Sequence, residues 1–211
     1  MAYAIMRFAK IKSVASFDAI ERHAKDRTRL KHRSRPENTA TIINNKHYDK
    51  DMSLVDRFKQ VTKDTAYRKD AVLGLEFVFA YSPEAEGTFN EREWIRANIK
   101  WLKDHFEDSK NIIHFRYDKD EKTPHIHAVV ICKHKGKLSA RHFINGKSTL
   151  SHMQDTYAEA MKPFGLKRGT RFLDALELPT ARHKSLNEYY REINTIKNKV
   201  FEEERTQNER N

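Results

Sequence analysis

Apolar runs and alternations along the chain mark out its strands. Ala71-Val72-Leu73-Gly74-Leu75-Glu76-Phe77-Val78-Phe79-Ala80-Tyr81 is apolar on both faces apart from Glu76, which predicts a central strand of a sheet. A carboxylate is costly to bury alone, so Glu76 reads either as facing a functional site or as paired with an arginine. His125 to Cys132 alternates: Ile126, Ala128 and Val130 share one face, and His125 and His127 share the other. Ile112 to Tyr117 predicts a second strand, joined to the first as a hairpin across an acidic loop that Pro124 ends. Tyr3 to Phe8 predicts a short strand, and Thr39 to Ile43 either another or a loop.

Helical spacing accounts for most of the remaining apolar positions. Leu54, Val55, Phe58 and Val61 share one helix face, as do Trp94, Ile95, Leu102 and Phe106. Thr88-Phe89-Asn90-Glu91 has the capping-box pattern for the latter helix, which is expected to run to about His105. Ser16 is expected to cap a helix running to about Leu30. Ser151 to Gln154 is expected to begin another, carrying Met153, Tyr157, Met161 and Phe164 and stopped by Gly165. From Ser185 the chain is charged and helical in pattern. The order of elements predicts an α+β fold with helices packed on a central antiparallel sheet. The expected organisation is one domain over residues 1–184 and a charged helical extension over 185–211, the start of a longer C-terminal region.

Composition adds a partner class. Of 211 residues, 38% are hydrophobic, enough for a sizeable core, and 41 Lys and Arg against 30 Asp and Glu leave a net charge of +11. That balance favours a polyanion, nucleic acid before others. Cys132 is the single cysteine, so no disulfide forms within the chain. The short apolar run Met1 to Met6 is followed at once by charge and reads as neither a signal peptide nor a membrane span, and a cytoplasmic setting is expected.

Two imidazoles on one strand face, with Asp118 and Glu121 just before them, make a divalent-metal site the leading reading, beside that of a merely polar strand face. On a basic protein, such a site points to phosphodiester chemistry. Carboxylate oxygen suits Mg and Mn, so His125 and His127 with Asp118 or Glu121 as third ligand form the expected set.

At this point the residues carry a resemblance. Ala2 to Arg7, Arg22-His23, Arg68 to Leu73, Asp120 to His127, Gly136 to Ala140 and Ala181 to Lys184 occur in that order. The ordered set resembles the relaxase domain of the MobV (Pre/Mob) plasmid mobilisation family, within the HUH endonucleases. The resemblance implies a sandwich of that class and a nick at a plasmid transfer origin. It further implies metal-assisted transesterification on single-stranded or hairpin DNA, followed by rejoining. It places the nucleophile at His23, with Tyr3 and Tyr48 as alternatives, and Glu121 as proton acceptor or as support to an imidazole. The family often has a third histidine where this chain has Asp118. Arg7, Arg27, Arg68 and Lys69 match motif positions expected to contact DNA phosphates near the cut, with Lys137, Arg141, Arg168 and Arg171 as weaker candidates and His183 as a late-motif one. His114 is expected to be structural. The conjugation machinery and a dimer formed through a further C-terminal region are the expected protein partners. A rolling-circle initiator with a tyrosine nucleophile and a non-catalytic origin-binding repressor are the alternative functions.

Overall fold

The computed structural model describes residues 2–26, 35 and 37–169. In chain order they form β1 (Tyr3–Ile11), α1 (Val14–Lys25), β2 (Thr41–Ile42), α2 (Leu54–Thr62), β3 (Gly74–Tyr81), α3 (Glu91–His105), β4 (Ile112–Asp118), β5 (His125–Val130), β6 (Lys133–His134), β7 (Lys137–Leu138), α4 (Ala140–Phe143), α5 (Gly146–Met161) and β8 (Lys167–Arg168). Six strands pair in the order β2-β4-β5-β3-β1-β8, and β6 pairs with β7 apart from them. All pairings in the larger sheet are antiparallel except β1 with β8. The expected α+β class is therefore observed.

The central position of β3 follows from its sequence. Leu75, Phe77, Phe79 and Tyr81 are buried on one face, where Trp94, Trp101, Leu102 and Phe106 from the α3 side and Met153, Tyr157 and Met161 of α5 cover them. The strand starts at Gly74, later than the apolar run suggests. A Cβ at Gly74 would lie 2.8 Å from the carbonyl oxygen of Val130, so the close approach of β5 requires glycine there. Ala71 to Leu73 instead leave a turn, with the Leu73 N–H donating to Ile11.

The opposite face is only half covered. Ile11, Phe17, Leu54, Phe58, Val61, Leu73, Ile113, Val129 and Ile131 form a second core under α1 and α2, at the Gly74 end of the sheet. Phe17 stacks on Phe58 with ring centroids 4.9 Å apart, joining the two helices. Buried Arg57 donates to the carbonyls of Ile113, Asp49 and Lys50, tying α2 and the loop before it to β4. Among the described residues, the other half of that face, where His125 and His127 lie, has no such apolar cover.

Helix ends differ from expectation. α1 begins after Ser13 and ends at Lys25, with non-helical Asp26 donating its N–H back to Arg22. Arg22, His23 and Lys25 fill its last turn, where positive charge complements the helix dipole. Asn90, not Thr88, caps α3 by accepting from the N–H groups of Arg92 and Glu93. Ser151 lies inside α5, because the apolar stripe reaches back to Leu150 and the helix starts at Gly146. Gly165 takes the left-handed conformation that ends the turn after α5, as expected. Arg27, Arg171, His183, the boundary at 184/185 and the charged extension lie outside the described residues.

Phe58→Ala removes the ring that joins α1 to α2 and is expected to cost about 3–5 kcal/mol of stability in urea denaturation. A loss under about 1 kcal/mol would show that this second core does not carry α1.

Candidate active site

Cross-strand pairing assembles the site. His125 lies between Asp118 of β4 and Ala80 of β3, and His127 between Arg116 and Val78. Directly paired residues share a sheet face, so Asp118, Arg116, His125 and His127 converge on the uncovered half. Glu76, two residues before Val78, shares it, and so does Arg7, paired with Val78 from the other side.

His23 reaches this face by helix geometry. β1 ends at Ile11, beside Gly74, and α1 then runs back along the sheet for 12 residues, about 18 Å. Its last turn places the His23 ring 5.9 Å from that of His127. One ligand atom each from His23, Asp118 and His127 lies within 4.8 Å of the others, and the same holds for Asp118, Glu121 and His125.

The imidazole tautomers follow from their partners. His125 Nδ1 lies 2.9 Å from the Thr123 carbonyl, which can only accept, so Nδ1 carries the proton. His127 Nδ1 lies 3.3 Å from a carboxylate oxygen of Glu76 and donates likewise. The two Nε2 atoms, 3.1 Å apart, then face each other with lone pairs. Burial, the leading influence, holds the His125 pKa below its usual value, which opposes relief by protonation. A cation between the rings would relieve the repulsion. Asp118 Oδ2 lies 3.8 Å from His125 Nε2 and 3.9 Å from His127 Nε2. Donors bound at about 2.1 Å to one octahedral ion sit roughly 3–4 Å apart, so these three fit a divalent cation. Glu121 lies 3.9 Å from His125 Nε2 and within 4.8 Å of Asp118.

Two supporting residues were less legible. Glu76 was expected either to face a site or to form an ion pair; it faces the site and holds His127. Arg116 is 1% exposed and donates from Nη2 to Asp118 Oδ2 at 2.6 Å, fixing the carboxylate. Its only signal was an arginine two residues before an aspartate in an otherwise apolar strand.

The other candidates are dispersed. Arg7 is exposed on the site face. Exposed Arg68 and Lys69 lie on the turn before β3, at the far end of the sheet. There Arg68 lines an open cavity of about 830 Å³ with Lys10, Lys137 and Arg141. Arg168 pairs with Asp155. Tyr3 projects from the site face with 39% exposure. Tyr48 is buried and donates its hydroxyl to the Lys110 carbonyl, beyond the opposite end of β4 from Asp118, and burial pushes its pKa up. His114 shares the site face but is buried. Burial first, then Arg116 and Arg57, pull its pKa down to about 3.

A family model described as Mob_Pre, plasmid recombination enzyme, matches residues 1–191. The chain is similar to a 65 kDa protein of Zymomonas mobilis subsp. mobilis, 27% identical over 188 residues that cover 86% of this chain and 32% of the relative. It is also similar to the plasmid recombination enzyme type 2 of Staphylococcus aureus, 28% identical over 197 residues, with 87% and 46% covered. The chain thus spans about a third to just under half the length of these relatives. Among solved structures it is similar to the MobM relaxase domain (MOBV; Mob_Pre) bound to plasmid pMV158 oriT DNA, a Mn-bound crystal structure. The TM-score is 0.74 at 24% identity, with 90% of this chain and 98% of that chain covered, and this likeness shows the fold.

Glu76→Gln keeps the shape at His127 and removes the charge; Mn²⁺ affinity by calorimetry is expected to fall about 10-fold, and unchanged affinity would refute the orienting role. For His114, the folded pKa lies below the unfolded value, so the unfolded chain binds the proton first as pH falls. Its contribution is complete above about pH 6.5 and is lost toward pH 3, by up to about 1.4 kcal/mol per pH unit. His114→Gln should flatten urea stability against pH over that window, and an equally steep profile would refute the assignment.

Proposed function

The chain belongs to the Mob_Pre family of plasmid recombination enzymes, and on that premise we propose that it is a relaxase domain that nicks and rejoins one DNA strand at a plasmid transfer origin. The observation that carries this reading is the convergence of His23, from α1, with Asp118 and His127, from β4 and β5, inside 4.8 Å. A basic helix terminus thereby brings a ring nitrogen against a set of cation ligands.

Asp118, His125 and His127 are the residues that would hold the divalent cation, Mn or Mg. Bound there, it would polarise the scissile phosphate and offset charge on its oxygens. His23 attacks the phosphorus, the bond to the 3′ oxygen breaks, and the 5′ phosphate stays on the imidazole nitrogen while the 3′ oxygen leaves as a hydroxyl. Glu121 takes the proton that His23 loses on attack and supplies the one that the leaving oxygen needs. Attack by that 3′ hydroxyl on the phospho-histidine reverses the sequence and reseals the strand. Arg116 and Glu76 keep Asp118 and His127 aimed, and Arg7 holds a phosphate beside the cut. Arg68 and Lys69, at the far end of the sheet, contact DNA away from the chemistry. The substrate is single-stranded or hairpin DNA, and the setting is the cytoplasm of a plasmid host. Partners from the conjugation machinery, and dimerisation, would act through regions such as those that make the relatives longer.

The second reading, a tyrosine enzyme, rests on Tyr3, exposed on the same face. A covalent-adduct assay separates the readings. The chain is incubated with Mn²⁺ and origin DNA from its own genetic element, then resolved under denaturing conditions. An acid-labile adduct is expected, reduced about a thousand-fold or more in His23→Ala with DNA binding retained. An acid-stable adduct lost in Tyr3→Phe would replace His23 by Tyr3. Tight binding with no adduct would leave an origin-binding repressor.

A further inference from the structure

We infer that the chain carries a second divalent-metal site, of the zinc class, formed by Glu107, His134 and His142 at the opposite end of β5 from His125. One ligand atom from each of the three lies within 4.8 Å of the others. Glu107 Oε2 lies 2.8 Å from His134 Nδ1, and Oε1 lies 3.2 Å from His142 Nε2. The two rings are stacked, with centroids 3.6 Å apart and planes 15° apart, so both present a nitrogen to the same carboxylate.

The three ligands are pre-positioned by the core, not by one another alone. Glu107 directly follows buried Phe106 and takes a left-handed φ of 62°, which turns the chain sharply after α3. His142 directly precedes buried Phe143, whose ring lies 4.9 Å from that of Phe106. His134 lies two residues beyond buried Cys132, in the β6–β7 hairpin. Buried Asn111 donates to both the Phe106 and the Lys133 carbonyls and joins the segments that bear Glu107 and His134. The Lys133 ammonium is directed away, to the Val61 carbonyl at 2.7 Å. Three segments separate in sequence thus bring two imidazoles and one carboxylate to one surface point. That donor set suits Zn²⁺, Co²⁺ or Ni²⁺ better than Mg²⁺, and leaves a fourth position to water. The ion would pin the hairpin and α4 to the end of α3, a structural role separate from strand cleavage.

Zn²⁺ titration of the 211-residue chain by calorimetry, with Co²⁺ absorption as a readout of geometry, tests this. Two equivalents are expected for the unaltered chain and one for His134→Ala/His142→Ala. One is also expected for His125→Ala/His127→Ala, so failure at either centre is told apart from failure at the other. Glu107→Gln leaves the core untouched and should weaken the second equivalent about 10-fold with circular dichroism unchanged. Undiminished stoichiometry in His134→Ala/His142→Ala, or undiminished affinity in Glu107→Gln, would reduce the cluster to a hydrogen-bonded surface group and overturn the proposal.

Discussion

The pairing of β5 between β3 and β4 is the constraint on which everything else depends. In that register His125 meets Asp118, and His127 lies between Arg116 and Val78. A slip of one residue would turn every side chain of β5 to the other face. Ile126 and Ala128 would leave the aromatic core, and the two histidines would enter it. The hydrophobic pattern forbids this, because Phe77, Phe79 and Tyr81 leave no room for polar rings beneath α3 and α5. Burial on one side of the sheet therefore sets the chemistry on the other.

The two faces are used unequally. One is sealed by aromatic side chains from α3 and α5. Among the described residues, the other is sealed only at the Gly74 end, where α1 and α2 pack on Ile11, Ile113 and Val129. Because α1 begins at the sealed end, its length delivers His23 to the open one. The second core is thus the hinge of the site's geometry: it supports the helix whose tip carries the proposed nucleophile.

Electrostatics at the site rest on buried pairs. Arg116 and Asp118 are almost completely excluded from solvent and bonded to each other. Such a pair is weak evidence of stability, since desolvation offsets its attraction, but breaking it would strand a charge. The pair places a carboxylate where the resemblance leads one to expect an imidazole. Glu76 and the Thr123 carbonyl then fix both histidines with their Nε2 atoms facing inward. At the other end of β5, Glu107 draws two histidines together on the surface.

The sequence by itself determined much of this. Period-two alternation put His125 and His127 on one face, the double-sided apolar run made β3 central, and Gly165 ended the turn after α5. These are local properties, governed by backbone geometry and burial within a few residues. Tertiary structure alone decided the rest. Glu76 reaches His127, and Arg116 pairs with Asp118 while Glu121 leans to His125. Arg68 and Lys69 lie far from the imidazoles although their motif suggested otherwise, and Glu107 meets His134 and His142. Helix starts were also misplaced, since Ser and Thr signals recur inside helices and only packing selects among them. The physical reason is common to all: strand register and helix length set which side chains meet, and both emerge only when the sheet and its two cores form together.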